Sequence, residues 1–403
     1  TSPLVIDYAM KLSFNWVRGP FDMMDALGHA RVVELIKEAG LELPAVLESS
    51  EPFYKAQNGS LDVRVEGDFK PVSLPEGTIR FSFTRKTLDP LFQNASASLW
   101  PLEGDLRLIE FHSKANALTA ASLEAIEAAV DNPGKGIIVH NDAQHFSAGV
   151  DLNAFRAMIE AQEWDVMDGF LNRFQQTVAK LKYSPVPVIG APSGLAIGGG
   201  FEVLAHCDEL ICHTNSVLGL VECAVGVVPG GGGVKTTIER WTAASGNDLD
   251  NAAWQTWMQM GYAKTGTSPQ TSAKMQYYVH CRDTAVMNRD KLLGLAMKRA
   301  LELTPSYEAP KPLTTKLAGN AVIPKMADFM DDGIKKGWFF PHDKTTAMAI
   351  ASIVVNEASA ESIEVSEQDL FDRERAAFLS LAKTKETHAR IASMLDDGAA
   401  IRN

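Results

Sequence analysis

The sequence predicts an α/β layered core carried between two helical regions, and three observations predict it. Strands and helices alternate from about residue 97 to 240, the pattern of a layered α/β architecture. Before residue 50 apolar residues recur at spacings of three and four, the helical period. After residue 240 long polar-faced stretches such as "MNRDKLLGLAMKRALEL" continue in that period to the end. The expected units are therefore 1–50 helical, 51–95 a connector, 96–240 the α/β core and 241–403 a helical module.

Taken in order, "FDMMDALGHARVVELIKEAG" reads as one amphipathic helix, opened by Gly19-Pro20 and stopped by Gly40 and Pro44. Between 51 and 95 the clearest extended piece is "KPVSLPEGTIRFSF". In the core, "GDLRLIEFH", "GKGIIVHN", "PVPVIGAP" and "ELICHT" read as strands. "TAASLEAIEAAV" and a long amphipathic segment at 165–182 read as helices.

Composition narrows the class. At 46% hydrophobic and 22% charged, the 403 residues fit a globular protein with a full core. A net charge of −12 argues against a nucleic-acid partner held by phosphate neutralisation. Four cysteines without disulfide spacing point to a reducing, cytoplasmic setting, and no apolar run is long enough to span a membrane. The start at Thr1 rather than Met reads as processing, or as a cut from a longer protein.

The stretch "GLAIGGGFEV" carries the chemistry. A buried strand runs into Gly198, Gly199 and Gly200, which open a helix bearing Glu202 on its first turn. Amide N–H groups at a helix start lack intrahelical partners, and the helix dipole makes that end positive. Glycine lets a ligand oxygen reach those N–H groups without meeting a Cβ. Taken alone, the triplet fits an oxyanion receptor and close helix–sheet packing alike. It fits neither phosphate-loop nor dinucleotide-binding glycine spacing. "HFSAGVDL" (His145–Leu152) places small residues at a second strand end. "LGLVECAVGVVPGGGG" (Leu218–Gly233) sets Glu222 alone in an apolar run. Such a glutamate is costly to bury unless it is paired or working. "HCDELICH" has two Cys and two His, but no second half-site accompanies it, so a metal site is not expected.

"SKANALT", "FSAGVDL", "GLAIGGGFEVLAHCD" and "VECAVGVVPGGGG" together resemble the crotonase (enoyl-CoA hydratase/isomerase) superfamily, in its order, over about residues 97–235. Twenty positions separate Glu202 from Glu222, as in the hydratases. The resemblance implies a crotonase-like ββα-repeat core. It also implies oxyanion donors at the N–H groups of Ala148 and Gly199, facing the thioester carbonyl of an acyl-CoA. Glu202 would activate water and Glu222 would exchange the α-proton. Lys114, Phe146, Ser147 and Asp151 would line the CoA channel. The expected activity is enoyl-CoA hydration in fatty-acid β-oxidation. The alternatives are a double-bond isomerase, which manages with one such glutamate, and a non-catalytic scaffold in a β-oxidation complex.

The flanks resemble bifunctional β-oxidation proteins that place a 3-hydroxyacyl-CoA dehydrogenase before the hydratase. "FNWVRGPFDMMDALG" resembles the end of the dehydrogenase's helical domain, and the tail resembles the far end of such proteins. The implied partners are the dehydrogenase half of a parent protein and a thiolase. No NAD site and no other cofactor is expected, the CoA thioester being substrate. The helix Phe14–Gly40 is expected to pack on the core through Phe14, Trp16, Met24, Leu27, Val32 and Leu35.

Overall fold

The structure is a computed structural model and describes all residues except Thr1, Asn15, Asn58, Gly59 and Asn247. Its centre is a seven-stranded sheet. Five parallel strands run in the order Thr284–Val286, Glu209–His213, Val188–Gly190, Gly136–Val139 and Leu106–Phe111. Ala97–Leu102 and Phe92–Gln93 extend it antiparallel. Leu195–Ile197 pairs parallel with Val217–Gly219 in a smaller sheet, which Thr265–Gly266 closes antiparallel.

Strand alternation builds the two faces. Leu108, Ile138, Ile189 and Ile211 point to one side and pack against Leu292, Leu293, Ala296 and Ala300 of the helix Leu292–Leu303. Ile109, Ile137, Val139 and Leu210 point to the other, under the helices Ala120–Asp131 and Trp164–Lys182. Thr119 and Ser122 form a capping box that fixes where the first of these begins.

Several expected boundaries move. The α/β layer does not end at 240, because Thr284–Val286 is its edge strand and Leu292–Leu303 covers its second face. The helical module also contains a small sheet of Thr315–Gly319, Val355–Asn356 and Ile363–Val365. The stretch 51–95 is more than a connector. Tyr54–Gln57, Ser60–Val65 and Asp68–Pro71 form an antiparallel sheet, and Phe53, Tyr54, Val63 and Phe83 share one core with Val32 and Leu47. "KPVSLPEGTIRFSF" is strand only at its start, and Phe81–Thr84 is a helical turn.

The first amphipathic run is two helices, Pro20–Leu27 and His29–Glu38, broken at Gly28, whose φ of 84° a helix cannot contain. Phe14, Trp16, Leu27 and Leu35 are exposed, while Met24 and Val32 pack within the N-terminal core. Packing of this set on the α/β core is therefore corrected. The N-terminal unit is instead tied to it by buried charges, with Lys11 and Arg80 meeting Asp290 at 3.4 and 3.0 Å. Among the described residues no helix is long and apolar enough to cross a membrane.

Candidate active site

The strand Leu195–Ile197 ends at Gly198, whose φ of 56° and ψ of −135° turn the chain into the helix Gly199–Ala205. The three glycines do different jobs. A Cβ on Gly198 would stand 3.2 Å from Oε1 of Glu222, inside the cavity. On Gly199 it would overlap the Val150 side chain at 2.6 Å, and on Gly200 it would overlap Ser147 at 2.5 Å. Both readings of the triplet hold, an open amide at the front and close packing behind. The Gly199 N–H, at the first helical position, has no acceptor among the described residues.

The second donor is not the expected one. The Ala148 N–H is engaged by the Ala115 carbonyl at 3.2 Å, so Ala148 is corrected. Along this extended segment alternate amides face opposite ways. Leu118 donates to the Gly149 carbonyl, and Asp151 donates to the Leu118 carbonyl. The intervening Val150 N–H therefore faces away from Leu118 and has no acceptor among the described residues. It lies beside Gly199, being 3.4 Å from where a Cβ on that residue would sit. Two unengaged N–H groups thus meet at one wall, the arrangement an oxyanion hole requires.

Across from them stand both glutamates. Glu202 is buried, and its Oε1 accepts from the N–H groups of Gly231 at 2.7 Å and Gly233 at 2.9 Å. Glu222 opens the short 3-10 turn Glu222–Val225, and its buried Oε2 has no hydrogen-bond partner among the described residues. Burial raises the Glu202 carboxyl above the usual range, against the pull of its two amides. Burial raises Glu222 further, and the neighbouring Glu202 charge adds to it. Both carboxyls are thus pushed up, and the two titrate as a coupled pair.

The cavity between them measures about 220 Å³ and is otherwise apolar, walled by Val150, Phe155, Leu171, Phe174 and Val227. Phe378 and Met394, from the helices Glu367–Ala382 and Lys385–Asp397, complete the wall. The sequence reading missed this contribution. The Glu202 carbonyl accepts from His206 Nδ1–H at 2.7 Å, and burial, with the Lys235 charge, pushes that imidazole well below its ordinary range.

The CoA-channel residues divide. Phe146 is fully buried against Phe111 in the core, and Ser147 is buried with its hydroxyl donating to the Asn116 carbonyl at 2.8 Å. Neither side chain is available to a ligand, and both are corrected. Asp151 caps the helix Leu152–Glu160 by accepting from the Asn153 N–H at 3.0 Å. Lys114 is exposed and makes no ion pair among the described residues. Cys207 and Cys212 are buried in the packing around the sheet, and no group of three metal-ligating side chains converges among the described residues.

Comparison with known proteins meets this geometry at the same residues. The family pattern Enoyl-CoA hydratase/isomerase matches residues 105–261. The chain carries an enoyl-CoA hydratase/isomerase domain. That domain holds the glycine triplet, the Val150 loop and both glutamates. A "Probable 3-hydroxyacyl-CoA dehydrogenase" of Bacillus subtilis is 30% identical over 99% of this chain, which spans 51% of that protein. A "Fatty acid oxidation complex subunit alpha" of Pseudomonas aeruginosa is 27% identical over 76% of this chain and 41% of its own length. The chain thus spans about half or less of these relatives. In fold, the domain and its surroundings resemble an enoyl-CoA hydratase from Bacillus halodurans, with a TM-score of 0.50 and 17% identity over 74% of this chain and all of that one.

Proposed function

We propose that the domain hydrates 2-enoyl-CoA thioesters. The observation that carries this reading is the pair of carboxylates on one small apolar cavity, facing two unengaged amide N–H groups. The thioester carbonyl would accept from Val150 and Gly199. Glu202, ionised and held by Gly231 and Gly233, would take a proton from water as its oxygen bonds to the β-carbon. The double-bond electrons would move onto the thioester oxygen, where each amide donor is worth about a hundred- to a thousand-fold. Glu222, carrying the proton of the pair, would then deliver it to the α-carbon. Water is consumed whole, and the net proton shift between the glutamates is restored by exchange across the cavity.

A double-bond isomerase in the same fold needs one carboxylate to shuttle a proton, which leaves the second unexplained. The unpartnered Glu222 and the amide-held Glu202 favour the two-carboxylate reaction. A non-catalytic scaffold has no use for a buried, unpartnered acid. We place Lys114 at the CoA end of the substrate, and we expect neither NAD nor a metal in this reaction. A relative named as a probable 3-hydroxyacyl-CoA dehydrogenase supports a dehydrogenase half as its proposed partner, and a thiolase is proposed with it. The test is turnover of a 2-enoyl-CoA in oxygen-18 water. Hydration places one labelled oxygen at the β-carbon, whereas conversion of 3-enoyl-CoA to 2-enoyl-CoA without label would favour isomerisation.

A further inference from the structure

A third buried carboxylate stands behind the first two. Glu374 lies on the helix Glu367–Ala382, fully buried, and its two oxygens accept from the N–H groups of Gly232 at 2.8 Å and Lys235 at 2.5 Å. These amides interleave with those of Gly231 and Gly233, which Glu202 accepts. Two carboxylates thus grip one glycine turn and helix start from opposite sides, on alternate amides. A Cβ would not fit at the turn. On Gly231 it would lie 2.8 Å from Glu202 Oε2, and on Gly232 it would lie 2.8 Å from the Phe371 and His206 rings.

We propose that Glu374 is a positioning residue for Glu202, fixing the turn whose Gly231 and Gly233 amides hold Glu202. This rests on the hydratase reading for its catalytic consequence, though not for its geometry. The turn has no other anchor of this kind. Gln175 holds the Gly230 carbonyl at 2.9 Å, but no other side chain accepts from its amides among the described residues. Glu374 needs both oxygens as acceptors, so a glutamine there would set an NH₂ against an N–H and lose one of the two bonds.

The charges around the pair leave this role to Glu374. From the 3-10 turn, Glu222 adds a second carboxyl to the cavity. From the helix Gly233–Ala244, Lys235 turns its ammonium away to Glu367 at 2.5 Å, with Glu239 and Lys182 beside it. Arg375 turns to Asp168 and Asp372 at 2.7 and 2.8 Å. Arg240 donates to the Ala205 carbonyl, and His206 is neutral. Burial raises Glu374 as well, and the Glu202 charge adds to this, as reciprocal repulsion requires.

The experiment compares the wild-type chain with Glu374→Gln and Glu374→Asp. Loss of a charge-assisted anchor should lower kcat in Glu374→Gln by about tenfold or more, with KM held within about threefold. With the turn no longer held, the Gly231 and Gly233 amides should grip ionised Glu202 less well, so the acid limb should move up by about half a pH unit or more. Glu374→Asp, keeping both acceptor oxygens, should restore the limb and much of the rate. The titration of Glu202, followed by carbon-13 NMR of labelled glutamate, should move in the same direction without any turnover.

Wild-type kcat and an unmoved limb in a folded Glu374→Gln would overturn the proposal. Equal losses in both variants with the Glu202 titration unmoved would also overturn it, leaving a purely structural carboxylate. If Glu374→Gln does not fold, Glu374→Ser, which removes one of the two acceptor oxygens, takes its place in the same measurements: a moved Glu202 titration supports the proposal and an unmoved one overturns it. Absence of hydration in the wild type would sink the hydratase reading alone, because the NMR titration still tests Glu374.

Discussion

Glu202 rests against two amide N–H groups at 2.7 and 2.9 Å, whereas Glu222, across the same cavity, keeps an oxygen with no hydrogen-bond partner. The first sits where a glycine turn and a helix start concentrate positive partial charge. The second sits on a short turn flanked by Val221, Cys223 and Val225, where Oε2 has no hydrogen-bond partner among the described residues and only the turn's own amides favour its ionised form. Burial raises both, and backbone amides offset part of that cost at each, but at Glu222 the neighbouring Glu202 charge adds to the rise. The difference teaches how two identical side chains in one cavity come to differ, and in the proposed reaction one environment would keep a base and the other an acid.

The largest effects expected from this comparison are on rate. Glu202→Gln and Glu222→Gln should each lower hydration by about a thousandfold or more, with acyl-CoA affinity within a few-fold, since each removes a proton-transfer group from the transition state. Stopped assays with direct binding measurements check this, and near wild-type turnover in either variant would break the pairing.

Next comes pH. Hydration needs Glu202 ionised and Glu222 protonated, so kcat/KM should fall on both sides of an optimum near neutrality. The acid limb reports proton uptake by the pair's base, and the alkaline limb reports proton loss by its acid, each about tenfold per pH unit. A profile flat from well below neutrality upward would contradict the shared proton.

Stability should separate the two glutamates by sign. Glu202→Ala leaves two buried N–H groups without an acceptor and should cost about 1–3 kcal/mol. Glu222→Ala removes a raised, unpartnered acid. Because its folded-state value lies above its unfolded one, Glu222 contributes stability at low pH that is lost as pH rises through the folded value. Its removal should therefore stabilise the protein, by about 1 kcal/mol at neutral pH and less in acid. Thermal unfolding at pH 5 and pH 8 reads both signs. A Glu222→Ala protein that melts lower than wild type at pH 8 would place a missing partner on that carboxylate.

The smallest effect concerns the exposed Lys114. Lys114→Ala should raise KM for enoyl-CoA by about threefold to tenfold at low salt, with kcat unchanged, and salt should erase the difference. An unchanged KM at low salt would remove Lys114 from the substrate path. The chain by itself should also form no NADH from 3-hydroxyacyl-CoA and NAD, since no dinucleotide-type glycine spacing occurs in it.

Much of the site was legible because local chemistry dictated it. The glycine triplet and the isolated Glu222 could be read from local chemistry, whereas Gly199 as a donor and the pairing of Glu202 with Glu222 came from the resemblance of the motifs. The alternation of strands and helices likewise located the sheet's central strands. Val150 was missed because amide direction alternates residue by residue, and the pairing of Leu118 with Gly149 and Asp151 decides which N–H faces the cavity. Phe146 and Ser147 look accessible in a small-residue loop, yet the adjoining strands bury them. Glu374, Phe378 and Met394 reach the site only because the last two helices fold back over it, a contact between residues more than a hundred positions apart. The edge strand Thr284–Val286 is three residues long, too short for any periodicity to show.

The difference between the two glutamates is tested most directly by a site-resolved titration. Carbon-13 NMR of labelled glutamate, assigned through Glu202→Gln and Glu222→Gln, would read each carboxyl separately. The account predicts that at neutral pH Glu222 carries the proton while Glu202 is ionised, with the two midpoints coupled. Both carboxyls ionised at neutral pH, or the proton resident on Glu202 with Glu222 bare, would contradict it.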